Sequence, residues 1–159
     1  MTDNELYKSS LNKAMSLCAA REYCISDISS KLAAWGIAEK DIDLIIEKLV
    51  KENFINEERY ATGYVKDKFN YNKWGKIKII SQLRAKSIPG DIISRALNSI
   101  DNDLYKRTLS DLLSSHRRHV KAKNQYDLKG KLLRYGLSKG FESNLLYDLL
   151  NEMEEPHPL

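Results

Sequence analysis

Lys31-Leu32-Ala33-Ala34-Trp35-Gly36-Ile37, Gln82-Leu83-Arg84-Ala85-Lys86-Ser87-Ile88 and Lys131-Leu132-Leu133-Arg134-Tyr135-Gly136-Leu137 share one pattern. Each reads polar, Leu, three residues, a small residue, then Ile or Leu. The leucine is the core knob of a short helix. The small residue takes the reversal that ends it. The aliphatic residue that follows anchors the turn in the core. An amphipathic helix comes after each segment, at 41–50, 91–97 and 144–150. A single unit of this size buries little apolar surface, so neighbours are expected to stack and share a core. The regular spacing favours repeats over a helical bundle in which glycine stops recur by chance.

Outward from these segments the apolar period is helical nearly everywhere. Helices are expected over about 5–22, 27–34, 38–50, 57–71, 76–86, 89–97, 101–120, 127–135 and 141–153. Ser26 and Asn56 fit as N-caps. Glu39 and Asp41, then Glu57 and Glu58, suit the positive ends of the third and fourth helices. Pro89 fits a first turn, where its missing N–H costs nothing. Gly36 and Gly136 fit as helix stops. The fold class is therefore all-α: three tandem three-helix repeats, 5–55, 56–100 and 101–153, stacked into a curved, elongated solenoid-like array, with 154–159 as a disordered tail.

Composition agrees. The 159 residues are 42% hydrophobic and 30% charged, with only 7 Gly and 3 Pro, which favours helices and a packed core. Cys18 and Cys24, the only cysteines, make neither a disulfide framework nor a zinc site. Met1–Glu5 lacks the basic start of a signal peptide, and no apolar run reaches membrane-spanning length, so a cytosolic protein is expected.

Charge is segregated. Residues 38–58 hold seven acids against three lysines. Residues 59–86 hold eight bases (Arg59, Lys66, Lys68, Lys73, Lys76, Lys78, Arg84, Lys86) and one acid. Residues 104–139 hold ten bases and two acids. Solvated helix faces explain any one block; two basic blocks point to a polyanion or an acidic protein surface as partner. Candidate contacts are Arg59, Lys66, Lys73, Lys76, Lys78, Arg84 and Lys86 in the middle, then Arg117, Arg118, Lys121, Lys123, Lys129, Lys131 and Arg134. Trp74 reads as closing the junction between the fourth and fifth helices. Tyr71 fits either that junction or stacking on nucleotides.

Catalytic and metal readings are weak. His116 and His119 lack companion ligands. Glu57 and Glu58 diverge around the helix axis and are no acid–base pair. No phosphate-cradling glycine loop or nucleophile elbow is present. No enzyme activity and no cofactor are expected.

The order Arg21-Glu22-Tyr23, Lys31-Leu32, Gly36-Ile37, Leu49-Val50-Lys51-Glu52-Asn53-Phe54-Ile55-Asn56-Glu57-Glu58-Arg59-Tyr60-Ala61, Lys73-Trp74-Gly75-Lys76-Ile77 and Leu83-Arg84-Ala85-Lys86-Ser87-Ile88 resembles the RecX family, bacterial regulators of the RecA recombinase. The resemblance covers about 11–153 and is strongest over 21–93. Ser87 stands where the family commonly has Gly, and Tyr60 where Phe is common. The resemblance implies three tandem three-helix repeats and a monomer that needs no cofactor. It implies binding to RecA and to its filament on single-stranded DNA, with inhibition of ATPase and strand exchange in DNA repair. DNA is contacted through the filament, with weak direct contact alongside. The alternatives are a helix-turn-helix DNA-binding module and a helical protein–protein scaffold. The short second helices carry few residues suited to base edges, which counts against the first.

Overall fold

The computed structural model describes residues 2–154. Among them are nine α-helices and no strand: α1 (Asp3–Ala20), α2 (Ile25–Ala34), α3 (Glu39–Lys51), α4 (Glu57–Asn70), α5 (Lys76–Ala85), α6 (Gly90–Leu97), α7 (Asn102–Arg117), α8 (Gln125–Ser138) and α9 (Ser143–Glu154). Glu154 closes α9, and the rest of the expected disordered tail lies outside the described residues.

Local chemistry sets the helix starts. Thr2 Oγ1 accepts from Glu5 N–H at 3.1 Å, so α1 begins earlier than its apolar pattern suggests. Asn56 Oδ1 accepts from Arg59 N–H at 2.9 Å, Asp101 from Leu104 N–H at 2.8 Å, and Asn124 from Asp127 N–H at 2.8 Å. Ser26 is not a cap. Cys24 holds that position in α2, and Asp27 accepts the Cys24 N–H at 3.3 Å.

The chain divides into two compact units. One comprises Met1–Tyr64 with Leu83–Ala96, the other Val65–Gln82 with Leu97–Leu159. The divisions fall inside α4 and α5 and before the last residue of α6. In the first unit, α1, α2 and α3 pack on one another around Ala14, Cys18, Ile28, Leu32, Ile37, Ile45, Leu49 and Ile55. Leu83, Ile88, Ile93 and Ala96 are also buried. In the second unit, α8 packs on both α7 and α9. Val65, Phe69, Ile79, Tyr105, Leu109, Leu113, Phe141, Leu146 and Leu150 are buried there. Tyr105 sits between two rings, 5.7 Å from Phe69 and 5.1 Å from Phe141.

One closing motif ends α2, α5 and α8, and α3 as well, where Phe54 N–H donates to Leu49 C=O after Asn53 at φ 63°. Ile37 N–H donates to Leu32 C=O, Ile88 N–H to Leu83 C=O, and Phe141 N–H to Gly136 C=O, each at 3.1 Å. The residues before these donors take the left-handed conformation: Gly36 at φ 88°, Ser87 at φ 60° and Gly140 at φ 94°. The structural counterpart of Leu32 and Leu83 is therefore Gly136, and that of Gly36 is Gly140. This corrects the third segment's register by one helical turn. Gly136 does not stop α8; it lies within it, buried, and a Cβ there would overlap Leu146. Leu146 of α9 fills the space that a leucine of the short helix fills elsewhere. Leu137, the expected anchor, is 45% exposed, whereas Phe141 is fully buried.

Candidate nucleoprotein interface

The expected contact residues divide between the two units. In the first unit, two of the bases are already partnered. Arg59 Nε reaches Glu22 Oε1 at 2.6 Å, and its guanidinium also donates to the carbonyls of Asn53 and Phe54. Lys86 Nζ lies 2.5 Å from Asp27 Oδ1. Burial pushes the Asp27 carboxyl up, but the Lys86 ammonium and the hydrogen bonds from Cys24 outweigh it and hold the group below its ordinary range. Arg84 is exposed.

The second unit gathers cations around Trp74. Gly75 brings a further one, Lys139, to this junction. Its N–H donates to Lys139 C=O at 2.7 Å, and Ile77 N–H donates to Gly140 C=O at 2.9 Å. The start of α5 is thus capped by the carbonyls that close α8. Another first-turn donor, Lys76 N–H, goes to Tyr105 Oη at 2.9 Å, and that hydroxyl donates to Glu142. A Cβ on Gly75 would overlap the Gly140 backbone, and one on Gly140 would overlap Lys78.

This seam brings Lys139 beside α5. Its Nζ donates to Asn72 C=O at 2.8 Å. Burial first, and the Lys78 charge second, hold the Lys139 ammonium below its ordinary value. Lys68 and Lys78 place their ammonium groups 4.9 and 4.6 Å from the Trp74 ring centre. Trp74 is half-buried, closing the α4–α5 junction while carrying two cations. Tyr71 beside it is 82% exposed, and Lys66 and Lys73 are exposed as well. Lys76 differs: its ammonium lies 4.7 Å from the centre of the buried Tyr105 ring. Lys78 and Lys139 hold positive charge close together, which an anion would relieve. Lys139 was not among the sequence candidates. It is sixty-odd residues from Trp74 along the chain, and the backbone pairing of α5's start with the end of α8 joins them.

The other candidates of this unit lie on α7, α8 and the loop between. Arg117, Arg118, Lys121, Lys123 and Arg134 are exposed. Lys131 Nζ donates to Lys121 C=O at 2.6 Å and pairs with Asp127 at 3.2 Å; Lys129 Nζ reaches Asn151 Oδ1 at 2.7 Å. His116 stacks on Tyr135, with centres 3.8 Å apart. Among the described residues no group of three or more His, Cys, Asp or Glu is placed to hold a metal. No helix among them is long and apolar enough to cross a membrane.

The fold defines an all-helical repeat protein that presents basic helix faces. Residues 56–97 match the family model described as RecX, second three-helix domain. Regulatory protein RecX of Clostridium perfringens (strain 13 / Type A) is 33% identical over 80% of this chain and 58% of its own length. Regulatory protein RecX of Clostridium acetobutylicum is 31% identical over 95% of this chain and 71% of its own. The crystal structure of RecX from Lactobacillus salivarius has the same fold: TM-score 0.81 at 23% identity, over 95% of this chain and 98% of that one. The chain belongs to the RecX family, whose curated members are regulatory proteins. It spans 58–60% of the length of the first relatives it matches.

Proposed function

We propose that this chain binds the RecA recombinase filament on single-stranded DNA and restrains its ATP hydrolysis and strand exchange. The cation cluster of Lys68, Lys78 and Lys139 around Trp74 is the observation that carries this reading. Ammonium groups gathered at one helix junction suit an acidic protein surface or DNA phosphates, and the repulsion between Lys78 and Lys139 is what such a partner relieves. Lys66 and Lys73, exposed in the same unit, add contacts of the same sign. Arg59 and Lys86, tied to Glu22 and Asp27, contribute by fixing the helices that carry the rest.

On this reading the chain acts as a monomer of three three-helix repeats, 5–55, 56–100 and 101–153, in the cytosol. It works by binding, without catalysis or cofactor. The test is a single-stranded-DNA-dependent ATPase assay of a RecA recombinase with this chain titrated in. Hydrolysis should fall with added chain, and the fall should weaken as salt rises. Unchanged hydrolysis at several-fold excess over filament subunits would overturn the reading.

A further inference from the structure

The filament reading leaves one concave feature of the second unit unused. Between α8 and α9 lies an open groove of about 400 Å³, walled by Tyr126, Gly130, Leu133, Arg134 and Tyr147. Gly130 lies within α8, where glycine weakens a helix relative to alanine. Packing does not require it. A Cβ there would meet only the Arg134 guanidinium, at an ordinary 3.5 Å. Its effect is to keep the groove open.

Two tyrosine rings stand in water beside it, Tyr126 88% exposed and Tyr147 48% exposed. Large rings left this exposed on neighbouring helices are uncommon unless something covers them. Positive charge borders the rings. Arg134 is exposed, and Lys129 is held toward α9 by Asn151. The one acid of the groove, Asp127, is already met by Lys131 at 3.2 Å and by the Lys123 N–H at 3.0 Å. The Lys131 bond to Lys121 C=O ties the basic loop ahead of α8, with Arg118, Lys121 and Lys123, to the same helix.

We propose that this groove takes a nucleotide of single-stranded nucleic acid directly. The base packs against the tyrosine rings over Leu133. The flanking phosphates meet Arg134 and Lys129, and the strand continues over the Arg118–Lys123 loop. Aromatic faces joined to cations suit a flexible polyanion with stackable bases; duplex DNA hides those faces. This deepens the expectation of weak direct DNA contact by assigning it a site, and that contact needs no recombinase.

The probe is a fluorescently labelled oligothymidylate, its anisotropy followed with the full chain alone over a salt series. The wild type should bind with salt-dependent affinity. Tyr126→Ala with Tyr147→Ala should weaken binding about tenfold and leave the salt slope unchanged. Arg134→Gln should lower that slope by roughly one contact. Gly130→Leu, which fills the groove and removes no charge, should weaken binding at least as much as the tyrosine pair. Helix content by circular dichroism should be unchanged in all. Equal affinity for the wild type, the Gly130→Leu variant and the tyrosine pair would overturn the proposal, as would equal affinity for duplex DNA. The ATPase assay separates this from the filament reading. Variants that lose the oligonucleotide but still suppress hydrolysis support a separate site, whereas a wild type that suppresses hydrolysis yet never binds the oligonucleotide sinks this inference alone.

Discussion

Gly75 gives its N–H to the carbonyl of Lys139 at 2.7 Å, joining the start of α5 to the end of α8 backbone to backbone. Lys139 reaches the Trp74 cluster through that approach. A methyl at Gly75 would overlap the Gly140 backbone, with no flexible side chain to yield. Gly75→Ala should therefore cost about 3 kcal/mol, read as a lowered urea midpoint. Gly63→Ala is the control. Gly63 is an exposed residue inside α4 with nothing within 4 Å of a built Cβ, so alanine there should stabilise by up to ~1 kcal/mol.

The exchange of bulk between Gly136 and Leu146 makes a second prediction. Gly136→Ala pushes a methyl into the Leu146 side chain and should destabilise by about 2 kcal/mol. Leu146→Ala alone opens a cavity and should cost about 3 kcal/mol. Together the two should cost less than the sum. A double-mutant cycle by chemical denaturation measures that coupling.

Ser87 holds φ 60° at the turn where Gly36 and Gly140 stand in the other two copies. A side chain in that region is strained, so Ser87→Gly should raise stability by about 0.5–1 kcal/mol, after the added freedom of glycine in the unfolded chain. Thermal unfolding followed by circular dichroism reads the change directly. Gly36→Ser should move it the opposite way.

Asp27 and Lys86 predict a pH response. The Asp27 carboxyl is lowered, so its contribution is fully present above the ordinary carboxylate pKa and is lost as pH falls through the lower folded value. Lys86 is raised by the same pair, so its contribution holds below the ordinary lysine pKa and is lost only as pH rises through the folded value. Glu57, pushed up by burial, runs against Asp27 in acid. Asp27→Asn should lower stability at neutral pH and remove part of the acid-dependent loss below about pH 4, measured as urea midpoints across pH. Cys24, fully buried, has its thiol pushed up to about 11 by burial, so a maleimide should label it at neutral pH only after unfolding.

The fold was legible where side-chain pattern and backbone need coincide. Leu32 with Gly36, and Leu83 with Ser87, mark helix ends that the structure closes with the same bonds. The third copy misled because Leu132, Gly136 and Leu137 repeat the letters one turn early. The leucine position there is a glycine whose space Leu146 fills, and no local pattern reports a side chain supplied by another helix. Ser26 looked like a cap, yet Asp27 caps α2 by reaching back to Cys24. Of the basic residues, exposure at Lys66 and Arg84 follows from their places opposite apolar positions, whereas Lys73 lies not on a helix but in the turn between α4 and α5, at φ 56°. The partners of Arg59 and Lys86, and the arrival of Lys139, come from contacts between distant segments that charge counting does not contain.

The central claim is that lysines around Trp74 grip a nucleoprotein filament. The direct measurement is binding of this chain to preassembled RecA filaments on single-stranded DNA, comparing wild type with Lys78→Gln, Lys139→Gln and the pair. Removing both charges should weaken binding about tenfold or more and flatten its salt dependence, with helix content unchanged. Equal affinity and equal salt dependence for the wild type and the double variant would contradict the account.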